Sequence, residues 1–96
     1  SLDVEGTHVS DLGPLAEMQS LQRLSVARTQ VTDLRPLAGL NLQRLIFTPQ
    51  NVTQGLDVIR GMASLRELDV TFREPQRFTP QEFWQRYDRG EFRSKN

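Results

Sequence analysis

The sequence predicts an α/β repeat fold: a right-handed solenoid of about 3.5 coils with one short parallel sheet and a C-terminal capping helix. Two observations predict the coils and a third predicts the cap. Apolar residues recur in columns about 22 residues apart, and the phrase VSDLGPL at 9–15 returns as VTDLRPL at 31–37. An aromatic-rich segment follows the last repeat. This period is typical of arrays in which each unit buries its apolar face against the next.

The strands are predicted from the clearest column of the repeat. It consists of four leucines at offsets of 22, 21 and 23 residues: Leu2, Leu24, Leu45 and Leu68. The segments RLSV at 23–26 and RLIF at 44–47 alternate polar and apolar residues, which is the period of a strand with one buried face. Because equal columns stack in register, the strands should form a parallel ladder with a spacing of about 4.8 Å.

The connections between the strands should each contain a bend and a short helical turn. Asp11 and Asp33 precede the turns and can accept an N–H at their start, while Pro36 suits the first position of a turn. Thr29 lies in the bend, where its hydroxyl can bond to backbone groups that would otherwise be unpaired. The third connection departs from the phrase: Gly55 and Gly61 bracket LDVIR at 56–60, and the three-residue spacing of Leu56, Ile59 and Met62 predicts a slightly longer helix here.

The C-terminal segment has the signals of a helix that ends the repeat array. Residues 79–82, TPQE, form a capping box with proline at the first helical position, and Gly90 can end the helix. Trp84 is expected to be buried against the last coil; the alternative is that it anchors a partner. The predicted division is a solenoid over residues 1–72 and a helical cap and tail over 73–96.

Several motifs carry a family resemblance. The segment LQRLSVARTQV at 21–31 fits L-x-x-L-x-L-x-x-N-x-L with Val and Thr as substitutes, so the chain resembles the leucine-rich repeat superfamily. Thr29 together with DLxPL resembles the subclass of about 22 residues found in bacterial internalins and in eukaryotic phosphatase regulators. The motifs DVIRGM and QEFWQRY resemble the C-terminal repeat tails of planctomycete-type bacterial proteins, but REPQRF at 73–78 departs from their usual linker, INGKP.

The resemblance implies a protein–protein interaction module in the C-terminal part of a larger bacterial protein. Such tails are often attached to serine/threonine protein kinases, so a regulatory or kinase-associated role and a cytoplasmic location are expected. This chain has no kinase motif, which means that a kinase would lie outside it. The alternative is structural self-association, in which two copies pair through the N-terminal coil because Leu2 and Val4 leave an open apolar edge.

The outward positions of the strands, here called the strand face, are the predicted binding surface for an unknown protein partner. In curved repeat arrays this face is the common binding face. Its candidate residues are Arg23, Ser25, Arg44, Ile46, Thr48, Glu67 and Asp69. Ile46 is expected to be an exposed apolar residue at the centre of a basic surface. A partner with a carboxylate for Arg23 and Arg44 and an apolar side chain for Ile46 would fit; the alternative is an ordinary solvated surface.

Composition argues against other classes of partner. The chain has 12 basic and 12 acidic residues, so it lacks the excess of Lys and Arg that nucleic-acid binding relies on. No apolar run approaches the about 20 residues that a membrane-spanning helix needs. The expectation is therefore that neither nucleic acid nor a membrane is the partner.

The sequence also predicts that the chain is not an enzyme and has no cofactor or metal. His8 is the only histidine, and although Ser10 and Asp11 are near it in the sequence, it should be a solvated residue of the bend. No His or Cys pair has metal-ligand spacing, and the acidic residues do not form a dense oxygen-ligand loop for Ca²⁺. No catalytic, cofactor-binding or metal-binding residue is therefore predicted.

Overall fold

The fold is α/β, with a four-stranded parallel sheet and a C-terminal helix, in a computed structural model that describes residues 1–70 and 76–92. The strands are β1 (Leu2–Asp3), β2 (Arg23–Ser25), β3 (Arg44–Ile46) and β4 (Glu67–Asp69). Their order in the sheet is the same as their order in the chain. The predicted α/β class, the parallel sheet and the C-terminal helix are confirmed.

Short helices occupy the connections between these strands. The 3₁₀ turns are Gly13–Glu17, Arg35–Leu37 and Pro49–Asn51, and the α-helices are α1 (Leu56–Arg60) and α2 (Pro80–Asp88). Helix α1 lies in the third connection, as predicted, between Gly55 at its N-cap and Gly61 at its C-cap. Within residues 1–70 and 76–92, no helix combines the length and the apolar character needed to cross a membrane.

The leucine column of the sequence determines the register of the sheet. Leu2 pairs with Leu24, and Leu45 pairs with both Leu24 and Leu68. Each connection therefore returns the chain to the equivalent position on the next strand. The predicted stacking of equal columns is confirmed for all four strands.

The hydrophobic core lies between the inward side of the sheet and the connections. Leu24, Leu45 and Leu68 from the strands share one buried cluster with Leu34 and Leu37 from the second connection. The helix α2 contributes Phe83 and Trp84 to the same cluster. Trp84 is only 9% exposed, which confirms the predicted burial of this side chain. The predicted boundary between residues 72 and 73 lies outside the described residues.

Aspartate side chains fix the start of the first two turns. Asp11 Oδ1 accepts the N–H of Gly13 at 2.8 Å, and Asp33 Oδ1 accepts the N–H of Arg35 at 2.9 Å. The guanidinium of Arg35 also donates to both oxygens of Asp33. Hydrogen bonds from the Arg35 side chain and then from its backbone N–H hold the pKa of the Asp33 carboxyl below its usual range. The predicted role of both aspartates is confirmed.

Threonine hydroxyls close the bends after β1 and β2 in the same way. Thr29 Oγ1 donates to the carbonyl of Val26 at 2.6 Å, and Thr7 Oγ1 donates to the carbonyl of Val4 at 2.7 Å. The two sites differ in solvation, because Thr29 is 6% exposed whereas Thr7 is classed as exposed. The predicted hydrogen bond of Thr29 is confirmed, and Thr7 offers a matched comparison.

Replacing Thr29 by valine should lower the free energy of unfolding by about 1–3 kcal/mol, because it deprives a buried carbonyl of its donor. The same change at Thr7 should cost about 0.5 kcal/mol or less, since water can replace the lost bond. Urea unfolding of the two variants measures both values. An unchanged urea midpoint for Thr29→Val, or equal losses at the two sites, would contradict this role of the buried hydroxyl.

Both ends of α2 have the predicted capping geometry. Thr79 Oγ1 accepts the N–H of Glu82 at 3.2 Å, and Glu82 Oε1 accepts the N–H of Thr79 at 3.1 Å, which completes the capping box. At the other end, Gly90 has a left-handed φ of 87° and donates its N–H to the carbonyl of Tyr87 at 2.9 Å. The helix is therefore fixed at both termini by local sequence.

An arginine of α1 holds α2 in place. Arg60 Nη2 donates to Asp88 Oδ1 and Oδ2 at 2.7 and 2.6 Å. Its guanidinium carbon lies 4.7 Å from the centroid of the Trp84 ring, a distance suited to a cation–π interaction. Arg60 thus joins the two helices through an ion pair with Asp88 and a cation–π contact with Trp84.

Candidate functional site

The strand face brings together the predicted binding residues on neighbouring strands. Two rows cross β2, β3 and β4 in register: Arg23, Arg44 and Glu67 form one, and Ser25, Ile46 and Asp69 form the other. These residues alternate along their strands with the core leucines, so they belong to the opposite side of the sheet. Thr48 follows at the end of β3, where its Oγ1 accepts the N–H of Arg28 at 2.8 Å.

The expectation that Ile46 is exposed was wrong, because its exposed fraction is 2%. It does not belong to the hydrophobic core cluster, which agrees with its position on the strand face. Its partners on the adjacent strands, Ser25 and Asp69, are also buried, so this whole row of the strand face is shielded from water. An aspartate at this position would be buried, so Ile46→Asp would disturb folding as well as binding.

Asp69 is fully buried and bonds within its own chain, although the sequence marked it as a partner-binding residue. Its Oδ2 accepts the N–H of Arg77 at 2.9 Å, and its Oδ1 accepts the N–H groups of Gln76 and Val70 at 3.3 and 3.2 Å. The carboxylate therefore holds residues 76–77 beside β4. Its role in the strand face is to position a later segment of the chain.

Residues 76–78 cover the outer edge of β4. Phe78 forms an antiparallel bridge with Leu68, whose N–H donates to the carbonyl of Phe78 at 2.9 Å. Bonds of this kind satisfy a strand edge that would otherwise be open to pairing. The opposite edge of the sheet belongs to β1, which pairs only with β2 among the described strands.

The first depression of the strand face, here called the serine depression, has a volume of about 260 Å³. Its lining includes Asp3, Arg23, Ser25, Arg44 and Ile46. Ser25 is 3% exposed, and within the described part of the chain its hydroxyl has no hydrogen-bond partner. Since buried polar groups are normally paired, this hydroxyl is available to a group that enters the depression.

The second depression, here called the arginine depression, also has a volume of about 260 Å³. It is lined by Arg23, Gln43, Arg44, Arg66, Glu67 and Arg77. Arg44 Nε lies 3.4 Å from Glu67 Oε2. Arg23, Arg66 and Arg77 are exposed, and none of these three has a carboxylate oxygen within 4.0 Å in residues 1–70 and 76–92. The two depressions share Arg23 and Arg44, so they are adjacent.

Arg66 and Arg77 were missed by the sequence analysis. Arg66 occupies the same repeat position as Gln22 and Gln43, one residue before the row of Arg23, Arg44 and Glu67. The repeat alignment therefore contains a signal for Arg66. Arg77 had no such signal, because its place depends on the hydrogen bonds that Asp69 makes to its backbone.

The residues that resemble a catalytic set lie apart from the strand face. His8, Ser10 and Asp11 are exposed, and the predicted solvation of His8 in the bend after β1 is thus confirmed. His8 Nδ1 lies 3.5 Å from the side-chain nitrogen of Gln30. In the part of the chain that the structure describes, no group of three or more His, Cys, Asp or Glu side chains could hold a metal ion.

The fold and the site together define a small α/β domain whose polar sheet face carries two adjacent depressions. No protein-family model matches the chain, and neither the curated proteins nor the solved structures gave a match. Function must therefore be inferred from the strand face and from the repeat.

Proposed function

We propose that this chain is a leucine-rich repeat module that binds another protein through its strand face. The observation that carries the proposal is the pairing of Leu2, Leu24, Leu45 and Leu68 on successive parallel strands. A repeat that returns to the same position on each strand supports a solenoid, and solenoids commonly bind partners across their stacked strands. The C-terminal helix α2 would then be the cap of that solenoid.

The chemistry of the strand face supports recognition of a protein. Its two depressions combine exposed arginines with the buried hydroxyl of Ser25 and the partly exposed apolar side chain of Leu2. A small number of polar groups around an apolar floor is typical of specific binding sites. We propose no catalytic role for the chain.

The test compares two exposed arginines that undergo the same change of charge. Arg23→Glu alters a residue that lines both depressions, whereas Arg89→Glu alters an arginine just after α2. The tagged proteins are used to capture partners from extracts of the native organism. We expect Arg23→Glu to weaken capture by about tenfold or more and Arg89→Glu to leave it unchanged. If both variants retain the partners of the wild type, the strand face is not the binding site.

Self-association through β1 is the second candidate. Leu2 and Val4 are only partly buried, and both pack against the core at the edge where the described sheet ends. Met18, in the connection after β1, is 42% exposed. Sedimentation measurements over a hundredfold range of concentration distinguish the two candidates, since a monomer throughout the range contradicts pairing of this edge with a second copy.

A further inference from the structure

We propose that the serine and arginine depressions form one groove for an extended acidic peptide segment of a partner protein. Arg23, Arg66 and Arg77 bind the carboxylates of this segment, while the partly exposed Leu2 contacts one of its apolar side chains. The inference rests on the proposed binding function of the strand face, because it specifies the chemistry of the partner.

Local charge is the first reason for an acidic partner. The chain as a whole is balanced, with 12 basic and 12 acidic residues, yet four arginines line the arginine depression together with one glutamate. Three of these arginines, Arg23, Arg66 and Arg77, are exposed and make no ion pair with a carboxylate in the described part of the chain. A guanidinium binds a carboxylate through two parallel hydrogen bonds, so exposed arginines suit acidic side chains.

The way in which Arg77 is held is the second reason. Its φ is 54°, a left-handed conformation that is uncommon for residues other than glycine. The buried carboxylate of Asp69 accepts its N–H at 2.9 Å and so maintains this conformation beside β4. Conformations of this kind cluster at functional sites. Asp69 thus acts as a positioning residue that brings a fourth arginine to the arginine depression.

The serine depression favours a peptide over a bare anion. Its Ser25 hydroxyl is buried and has no partner among the described residues, so it can bond to a peptide group. Leu2, which is partly exposed, provides an apolar contact in the same depression. Four strands at a spacing of about 4.8 Å span roughly 14 Å, the length of four or five extended residues.

The lining of the groove disfavours a nucleic acid. Single-stranded nucleic acids usually stack their bases on aromatic side chains. Among the residues that the structure describes, no aromatic side chain lines either depression.

The experiment selects binders from a display library of random octapeptides with the wild-type chain. The selected peptides should be enriched in Asp and Glu and should contain an apolar residue. Fluorescence anisotropy then gives the Kd of a selected peptide, of its Asn and Gln counterpart, and of a single-stranded oligonucleotide of equal charge. We expect the acidic peptide to bind most tightly and its affinity to fall with salt.

Three variants assign this binding to the groove. Arg66→Glu should raise the Kd of the acidic peptide by roughly tenfold to a hundredfold, whereas the matched Arg89→Glu should leave this Kd unchanged. Ser25→Ala should also weaken binding of the peptide. It should leave the urea midpoint of the chain unchanged or raised, because it removes a buried hydroxyl that has no partner in the described chain.

The inference is overturned if the library yields no binder, if the selected peptides are not acidic, or if Arg66→Glu and Arg89→Glu behave alike. Tighter binding of the oligonucleotide would also overturn it. The proposed function is tested separately by the capture experiment. If Arg23→Glu loses the native partners, the strand face remains the binding site even when acidic peptides do not bind.

Discussion

Replacement of Phe83 by alanine should lower the free energy of unfolding by about 3–5 kcal/mol. The side chain is fully buried, and its ring lies between 4.9 and 6.3 Å from four other aromatic rings. These rings belong to Phe47, Phe78, Trp84 and Phe92. Phe83 therefore joins α2 to the end of β3 and to the segments on either side of the helix. Alanine would leave a cavity at the centre of this cluster, where several elements limit its collapse.

Urea unfolding followed by the fluorescence of Trp84, the only tryptophan, measures the effect of Phe83→Ala. A loss of this size is large, because a small domain has a total stability of about 5–15 kcal/mol. The control is Gln85→Ala on the exposed side of the same helix, which should change stability by about 0.5 kcal/mol or less. A loss below about 1 kcal/mol for Phe83→Ala, or native Trp84 emission like that of free tryptophan in water, would contradict the packing of α2.

Replacement of Gly55 by alanine should cost about 2–5 kcal/mol, which combines a strained backbone with a steric clash. Gly55 has a left-handed φ of 90°, and a Cβ there would lie 2.6 Å from the backbone nitrogen of Arg35 and 2.8 Å from the carbonyl carbon of Leu34. The adjacent N–H of Leu34 donates to the carbonyl of Gln54 at 3.0 Å. Two connections touch at this point, so neither backbone can withdraw without breaking this bond.

Gly39→Ala is the matched control for Gly55→Ala. Gly39 has no positive φ, and a Cβ at this position would meet nothing within 4 Å. This variant should be as stable as the wild type or more stable by up to about 1 kcal/mol, since alanine restricts the unfolded chain. Thermal unfolding of both variants measures the difference, and equal melting temperatures would show that the second and third connections are not in close contact.

The sequence predicted the parts of the fold that local patterns determine. The leucine column predicted the sheet register because one-sided burial strongly specifies how strands pair. Thr79 and Glu82 predicted the start of α2 because their hydrogen bonds involve residues only three positions apart. The leucine-rich repeat identity stays a prediction.

The candidate site was only partly predictable because its properties depend on contacts between distant segments. The alternation along β3 correctly predicted that Ile46 lies on the strand face but could not show that its side chain is buried there. The role of Asp69 depends on backbone groups seven and eight residues later in the chain. Arg77 could not be assigned to the site without this contact.

The pairing of β2 with β3 links the size of the strand face to the length of the chain. Arg23 pairs with Arg44 and Leu24 pairs with Leu45, so residues 23–43 form one repeat, which ends just before the position equivalent to its start. A tandem duplication of this repeat would keep the leucine column unbroken and would add one strand with one more guanidinium on the strand face. The strand face would then lengthen by about 4.8 Å and gain one positive charge with each copy. A lineage could thus match longer acidic partners by copying whole units, without inventing a new contact.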